Sequence, residues 1–325
     1  MPTKHSDLSI IVVSYNTVDL LAQCLGSLRK HLCGKIDFIA IVVDNNSCDE
    51  TRRWLASYQA DNSWVHAILL NDNVGFARAN NIGIRFCTCK NVLLLNSDAY
   101  LIDDSLLLAV AHLDKNPGLF GCGCTLLDRE EKSDISYGSF PSLPVVMKEI
   151  CTNRFNQLRA VTPVKNDTIR QIDFPCGAFF LFKRNMFDEL GGLDEAFFMY
   201  FEETDLAKRA WDKGHIIEYF PKTNIVHLRG GSSGTENGAL TTIFYQSWNY
   251  YFSKHHSFVE KIALNSILYL FFSAMFFYSL ISGKKKVCSY YKHHRRGLVS
   301  SWFKSRDLMV NEIKKRSKAC DPAPE

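Results

Sequence analysis

Leu8-Ser9-Ile10-Ile11-Val12-Val13-Ser14-Tyr15-Asn16 is the stretch that decides the fold. Residues 8–13 are apolar but for one serine and rich in β-branched side chains. The run is too short for a helix and too continuous for a half-exposed strand, so it reads as a strand covered on both faces. A polar Ser-Tyr-Asn triplet ends it, and Leu20, Leu21, Cys24, Leu25 and Leu28 then recur at helical spacing. The same unit repeats outward. Residues 38–43 form a second apolar run closed by Asp44-Asn45-Asn46-Ser47, and Ser47 to Glu50 has the spacing of a capping box opening a helix through Trp54, Leu55 and Tyr58. Residues 65–70 read as a third strand, followed by the turn Asn71-Asp72-Asn73-Val74-Gly75 and a helix through Ile84. Residues 92–95 read as a fourth, ending in Asn96-Ser97-Asp98, with a helix starting near Asp104. Buried strands alternating with helices predict an α/β fold with a mostly parallel central sheet flanked by helices.

The periodicity fades over residues 128–170, where Pro141, Pro144 and Pro163 stand among polar residues, and a surface excursion is expected. Residues 176–182 read as a strand, Gly191-Gly192 as a turn, residues 203–213 as a helix, and residues 215–220 as a last strand broken by Pro221. Beyond residue 237 the chain turns aromatic, basic and helical. Two regions are therefore expected, 1–237 and 238–325.

Composition narrows the class. With 46% apolar and 22% charged residues in 325, the chain has a packed core in prospect, which excludes disordered and collagen-like readings. Eleven cysteines follow no disulfide ladder, and the first apolar run is too short for a signal peptide, so a reducing cytoplasm is expected. The net charge of +4 conceals an asymmetry. Residues 283–325 hold 12 Lys and Arg against 4 acids, leaving 26 against 30 in residues 1–282. Directly before that basic tail, residues 262–282 contain no Asp, Glu, Lys, Arg or His, flanked by Lys261 and Lys284-Lys285-Lys286. The length suits a bilayer span, and Asn265, Ser266, Ser273 and Ser279 weaken that reading. An interfacial or re-entrant helix on the cytoplasmic face of the inner membrane, peripheral or monotopic, is expected, with anionic lipid as partner; a single transmembrane span and a core helix stay open. No nucleic-acid motif accompanies the cluster Lys292-His293-His294-Arg295-Arg296, so no nucleic acid is expected as partner.

In an open α/β sheet, ligands collect at the carboxyl ends of the strands. Neither the G-x-G-x-x-G of a dinucleotide fold nor a P-loop follows the first strand. Asp44 could accept a hydrogen bond from the imide N3 of uracil or thymine, or it could cap the next helix. Asp98 ends a buried run; it could cap the helix starting near Asp104, though six residues separate them, or it could bind metal, since one carboxylate can hold Mg²⁺ or Mn²⁺ when pyrophosphate oxygens complete the shell. His227 could add a nitrogen ligand, which favours Mn²⁺. Glu202, Glu203 and Asp205 cluster at a helix start behind Phe197, Phe198, Tyr200 and Phe201. Acids there stabilise a helix; a carboxylate there could also take the proton of a sugar hydroxyl while exposed aromatic faces stack on the ring. Cys87-x-Cys89 and Cys122-x-Cys124 are spaced too closely for a usual zinc site and read as buried thiols.

Taken in order, Ser14-Tyr15-Asn16, Val43-Asp44-Asn45-Asn46-Ser47, the run from Asn73-Val74-Gly75-Phe76 to Asn80-Asn81-Ile82-Gly83, Leu93-Leu94-Leu95-Asn96-Ser97-Asp98, Gly177-Ala178-Phe179-Phe180 and Phe197 to Leu206 resemble the family 2 glycosyltransferases. The likeness covers roughly residues 7–235 and is strongest to the rhamnosyltransferase-type branch that builds bacterial surface polysaccharides. It implies a GT-A fold, a nucleotide-diphosphate sugar donor (dTDP- or UDP-linked), Mg²⁺ or Mn²⁺, inversion at the anomeric carbon, and a glycan or glycolipid acceptor. On the matching positions, Tyr15, Asn16 and Asp44 would hold base and ribose, with Ser14, Asn46 and Asn96 on the same donor side. Asn73, Gly75, Phe76 and Asn80 would shape the donor pocket. Asp98 would match the last acid of the family's D-x-D or N-P-D element, here Asn-Ser-Asp, and His227 its late metal-binding histidine. The base would fall on Glu203 where the family has Asp, with Glu202 as its rival, and Tyr200 and Asp205 would face the acceptor. A catalytically silent member that binds nucleotide sugar inside a membrane assembly is the alternative.

Overall fold

In a computed structural model, residues 7–152, 168–228 and 238–303 are described. Contacts divide the chain into two units: Met1–Glu195 with Glu202–Ser232, and Ala196–Phe201 with Ser233–Glu325.

In the first unit, β1 (Leu8–Ser14) pairs in parallel with β2 (Phe38–Asp44) on one side and β4 (Asn91–Asn96) on the other, and β3 (Val65–Leu69) adds outside β2. Helices α1 (Val18–Leu32), α2 (Thr51–Asp61) and α3 (Phe76–Ile84) connect them. This is the alternation expected. β1 is central because both its faces are apolar, and Ile10, Ile11 and Val12 have no exposed surface.

Past β4 the sheet becomes mixed. β5 (Ala99–Leu101), α4 (Leu106–Lys115) and β6 (Leu119–Leu127) follow; the excursion beyond them contains β7 (Ser133–Asp134), β8 (Tyr137–Gly138), α5 (Leu143–Cys151), β9 (Arg170–Gln171) and β10 (Phe174–Pro175). Residues 153–167 of that excursion lie outside the described residues. Next come β11 (Phe179–Lys183), α6 (Arg184–Glu189), α7 (Glu202–Asp212) and β12 (Ile216–His227). The strand order is β3-β2-β1-β4-β11-β6-β12-β5, with β11 antiparallel to both neighbours, β6 parallel to β12, and β5 antiparallel to β12.

β12 does not stop at Pro221. A register shift between Phe220 and Asn224 takes the proline out of the ladder, where its missing N–H is harmless, and pairing with β6 resumes at Asn224. Ser105 fastens this irregularity, accepting from the Thr223 hydroxyl through its carbonyl at 2.7 Å and from the Asn224 N–H through its hydroxyl at 3.1 Å.

β6 carries Gly121 and Gly123 where a strand would ordinarily carry side chains. A Cβ on Gly121 would fall 2.5 Å from the Leu181 carbonyl oxygen and 2.9 Å from both the Phe180 ring and Phe182 Cβ; one on Gly123 would fall 2.7 Å from Pro175. Gly121 makes room for the phenylalanines of β11, and Gly123 makes room for Pro175 of β10. Gly121→Ala is therefore expected to destabilise the fold by about 1–3 kcal/mol or more, as overpacking does. Urea unfolding reads this, with Gly118→Ala as control, since nothing lies within 4 Å of the Cβ position there.

The second unit holds α8 (Gly238–His255), α9 (Phe258–Ile281) and α10 (Lys285–Phe303). Tyr245, Trp248 and Phe252 of α8, Leu264, Leu268 and Phe272 of α9, and Leu298 of α10 have no exposed surface. Gly297 lets α10 approach α8, because a Cβ there would meet Thr241 Cγ2 at 3.1 Å. Asn249 ties the three helices together, accepting from Asn265 Nδ2 at 2.6 Å and donating to Ser301 Oγ at 2.7 Å. The neutral stretch 262–282 lies almost wholly within α9.

A candidate active site at the carboxyl ends of the parallel strands

The ends of β1, β2 and β4 are adjacent because the strands are parallel and in register, Ser14 opposite Asp44 and Val13 opposite Asn96. Ser14, Thr17 and Ser97 form a buried hydroxyl chain, 2.9 Å from Ser14 to Thr17 and 3.3 Å on to Ser97. Asn16 and Asn46 take left-handed backbone, φ 54° and 68°, a conformation asparagine tolerates better than bulkier residues. Their loops are laced together. The Asn16 N–H donates to Ser47 Oγ at 2.9 Å, and Asn16 Oδ1 accepts from the Cys48 N–H at 2.8 Å. Ser47 thus spends its hydroxyl on the β1 loop rather than on a capping box, and α2 begins at Thr51, whose N–H donates to Asp49 Oδ1.

Asp44 is fully buried. Its Oδ1 accepts from the Ser47 N–H at 3.0 Å and from Arg52 Nη1 at 3.3 Å, while Oδ2 is buried without a hydrogen bond among the described residues. Burial pushes this carboxyl above its ordinary value; the Ser47 bonds and the Arg52 charge pull the other way. Arg52 also donates to the Leu70 carbonyl at 2.6 Å and to Asn46 Oδ1 at 3.4 Å. Asn45 fastens the next loop, donating to Asn73 Oδ1 at 2.9 Å and accepting from the Val74 N–H at 2.9 Å. Gly75, at φ 88°, leads into α3, where Asn80 Nδ2 donates to the Phe76 carbonyl. Asn45 and Arg52 were absent from the residues the sequence nominated. Asn45 sits in the quoted Asp-Asn-Asn-Ser run, but its inward aim depends on the β2–α2 turn; Arg52 is one arginine in a polar helix face.

Asp98 and His227 are 129 residues apart and meet through the sheet. β12 pairs with β5 so that His227 faces Ala99, and the Leu228 N–H donates to the Asp98 carbonyl at 3.0 Å. His227 Nε2 then lies 3.3 Å from Asp98 Oδ1. Asp98 is 3% exposed. Neither its Oδ1 nor His227 Nδ1 makes a hydrogen bond among the described residues, and Asn96 Oδ1 close by is in the same condition. Burying a carboxylate oxygen without a hydrogen bond is costly, and a cation relieves that cost. A hard oxygen beside an imidazole nitrogen suits Mg²⁺ or Mn²⁺. No set of three or more His, Cys, Asp and Glu that could hold a metal ion gathers among the described residues.

α7 begins at Glu202, and Glu202 and Glu203 are both buried in its first turn. Glu203 packs on Gly177, whose Cβ position is 3.4 Å from the Glu203 Oε1 and Cδ. Asp205 ion-pairs with Arg209 at 2.8 Å, and Arg209 also donates to the carbonyls of Leu190 at 2.5 Å and Gly192 at 2.7 Å, which fixes the Gly191-Gly192 turn. The aromatic run before α7 is not the open sugar platform the sequence suggested. Phe197 and Phe201 are buried: Phe197 meets Tyr250, and Phe201 meets Phe244, Trp248 and Tyr251 of α8. Tyr200 is half-buried on Phe244. Tyr200 and Phe201 both take positive φ, 73° and 69°, a strain that side chains of this size accept only when packing fixes them. Cys122 and Cys124 are buried thiols pushed far above their ordinary value by desolvation, as the sequence implied, and Cys89 accepts from the Ser9 hydroxyl.

The glycosyl transferase family 2 profile matches residues 9–191. Over 213 residues the chain is 28% identical to the low-salt glycan biosynthesis hexosyltransferase Agl10 of Haloferax volcanii, a match covering 64% of this chain and 62% of that one. Over 228 residues it is 24% identical to the rhamnosyltransferase WbbL of Escherichia coli, covering 67% and 82%. Two solved structures share the GT-A fold. The mannosyltransferase PcManGT from Pyrobaculum calidifontis, in complex with GDP-Man and Mn²⁺, aligns with a TM-score of 0.56 at 16% identity over 92% of this chain and 86% of that one. GalNAc-T7 with UDP, GalNAc and Mn²⁺ aligns with a TM-score of 0.58 at 14% identity over 99% and 59%. The chain thus spans less than two thirds of the length of Agl10 and of GalNAc-T7.

Proposed function

Since the chain belongs to glycosyl transferase family 2, we propose that it moves a hexosyl group, a deoxyhexose such as rhamnose, from a dTDP- or UDP-linked donor to a hydroxyl of a lipid-linked or nascent glycan, with inversion. The observation that carries this reading is the pairing of buried Asp98 at the end of β4 with half-buried His227, 3.3 Å apart and short of hydrogen bonds, next to the loops that end β1 and β2. The rhamnosyltransferase name among its relatives supports the sugar class.

The roles follow from the bonds already made. Asp44 Oδ1 is committed to Ser47 and Arg52, which leaves Oδ2 to accept the N3–H of a pyrimidine base. Asn45 and Asn73 hold the loop that would wall the donor, so little ordering is left to binding. Asp98 and His227 would hold the cation, which when bound neutralises charge building on the departing nucleoside diphosphate. Glu203 takes the proton of the acceptor hydroxyl as its oxygen attacks the anomeric carbon. The bond to the diphosphate breaks on the opposite face, and a single displacement of this kind inverts the centre.

A thermal-shift series of dTDP-, UDP-, GDP- and ADP-linked sugars with Mn²⁺ tests the donor assignment. A ligand at 100 times its Kd adds about 2.7 kcal/mol of stability, so the pyrimidine nucleotides are expected to raise Tm and the purine ones to leave it. A response to purine donors alone would remove Asp44 from the base-binding role.

A further inference from the structure

The buried residues of α9, Leu264, Asn265, Leu268, Phe272 and Ser279, fall on one stripe turned toward its neighbours in the helical unit. The opposite face is exposed and apolar: Ile262, Leu270, Phe277, Leu280 and Ile281 line it, with Leu270 66% and Ile281 88% exposed. From Ile262 to Ile281 the helix carries no ionisable acid, lysine, arginine or histidine on any side. At 1.5 Å per residue, this face runs for about 30 Å, more contiguous apolar surface than a soluble protein leaves in water.

By length alone α9 could cross a bilayer. What lies alongside it decides otherwise. After a turn with Gly283 at φ 69°, α10 returns along α9: Tyr291 meets Phe271 and Phe272, His294 meets Phe272, and Trp302 meets Tyr269. The Arg295 guanidinium stands 4.8 Å from the Phe276 ring. Lys292, Arg295 and Arg296 therefore run beside the middle of α9, and α10 contains no acid to neutralise them. A crossing by α9 would carry all three into hydrocarbon, where translocation scales charge heavily for each. His294 adds no charge at neutral pH: burial first, then His293, pushes it down to about 4, and it shares a 2.7 Å hydrogen bond with the Tyr245 hydroxyl.

We infer that α9 and α10 seat together in the plane of an anionic bilayer surface, α9 with its Leu270–Ile281 face among the acyl chains and α10 with Lys285, Lys292 and Arg296 at the phosphate headgroups. Charge complementarity selects this occupant, since the apolar face and the surplus of cations belong to one helical pair. That the surface presents a lipid-linked acceptor, and that the leaflet is the cytoplasmic one where nucleotide sugars are found, rests on the function proposed above. The seating itself does not.

The test uses the full chain and sucrose-loaded vesicles of phosphatidylcholine alone or mixed with phosphatidylglycerol. Cosedimentation is expected only with the mixed vesicles, weakening as salt rises. Lys292→Gln and Arg296→Gln should each lower the partition coefficient about fivefold. Leu270→Ser with Ile281→Ser should lower it further while leaving the circular dichroism spectrum unchanged, because both side chains already face outward. Point substitutions are needed because a chain cut before α9 would uncover Tyr245, Trp248 and Phe252. Equal binding to neutral vesicles overturns the inference, as does a concentration-dependent dimer abolished by the two serines, which would make a second copy the occupant. So does a chain in cell membranes that resists alkaline extraction with its tail protected from protease, which would make α9 a span. Vesicle binding without any nucleotide-sugar shift would leave the seating intact and remove the transferase reading; the converse result would do the opposite.

Discussion

Asp98→Ala is expected to abolish sugar transfer, a fall of at least about 10³-fold in kcat, without lowering the unfolding midpoint. The two halves of this expectation come from the same geometry. The backbone around residue 98 is held by the Leu228 N–H on its carbonyl and by the pairing of β12 with β5, neither of which needs the carboxylate. The side chain contributes a buried oxygen with no hydrogen bond, which disfavours folding, so its removal should leave stability unchanged or slightly raised. His227→Ala should cost less, because the negative charge remains and only the nitrogen is lost. Kinetics across an Mn²⁺ titration and thermal melts, measured on both variants, separate these effects. Full activity in EDTA, or in the Asp98→Ala variant, removes the cation from the account.

How far the sequence could be read depended on where each feature's cause lay. β1 to β4 were legible because continuous apolar runs are a local signal, and the polar residues ending them marked the carboxyl edge before any strand pairing was known. β6 was not legible: Gly121 and Gly123 dilute its β-character, and what they make room for, the phenylalanines of β11 and Pro175 of β10, lies some fifty to sixty residues onward. Strand direction was equally hidden, since an apolar run is the same read parallel or antiparallel, and the mixed half of the sheet is where expectation and structure part. His227 could be nominated from its chemistry and the resemblance but not placed, because its approach to Asp98 needs β12 to continue past Pro221 and pair with β5. The aromatic run before α7 misled for a similar reason. Phe197 and Phe201 carry no local sign that α8, more than forty residues later, covers them.

Glu203→Gln is expected to lower kcat by about 10²- to 10⁴-fold while nucleotide-sugar binding persists, the signature of a lost general base. Glutamine preserves length and shape in a place with little room: Glu203 is 3% exposed, and its carboxylate packs against Gly177. The loss therefore reports the missing negative charge rather than a collapsed pocket. Glu203→Asp restores that charge but withdraws it by one methylene from a site built around the longer side chain, so it should recover only part of the rate. Gly177→Ala tests the same spacing from the other side. Its new Cβ would stand 3.4 Å from Oε1, at the inner edge of ordinary van der Waals contact, so any fall in kcat should be small, with donor KM unchanged. Glu202 is nearly as buried in the same turn and is the necessary control. Should Glu202→Gln show the large loss and Glu203→Gln keep most of its rate, the base is one position earlier. In that event Gly177→Ala should be close to neutral, because the residue it touches would no longer be the one that takes the proton.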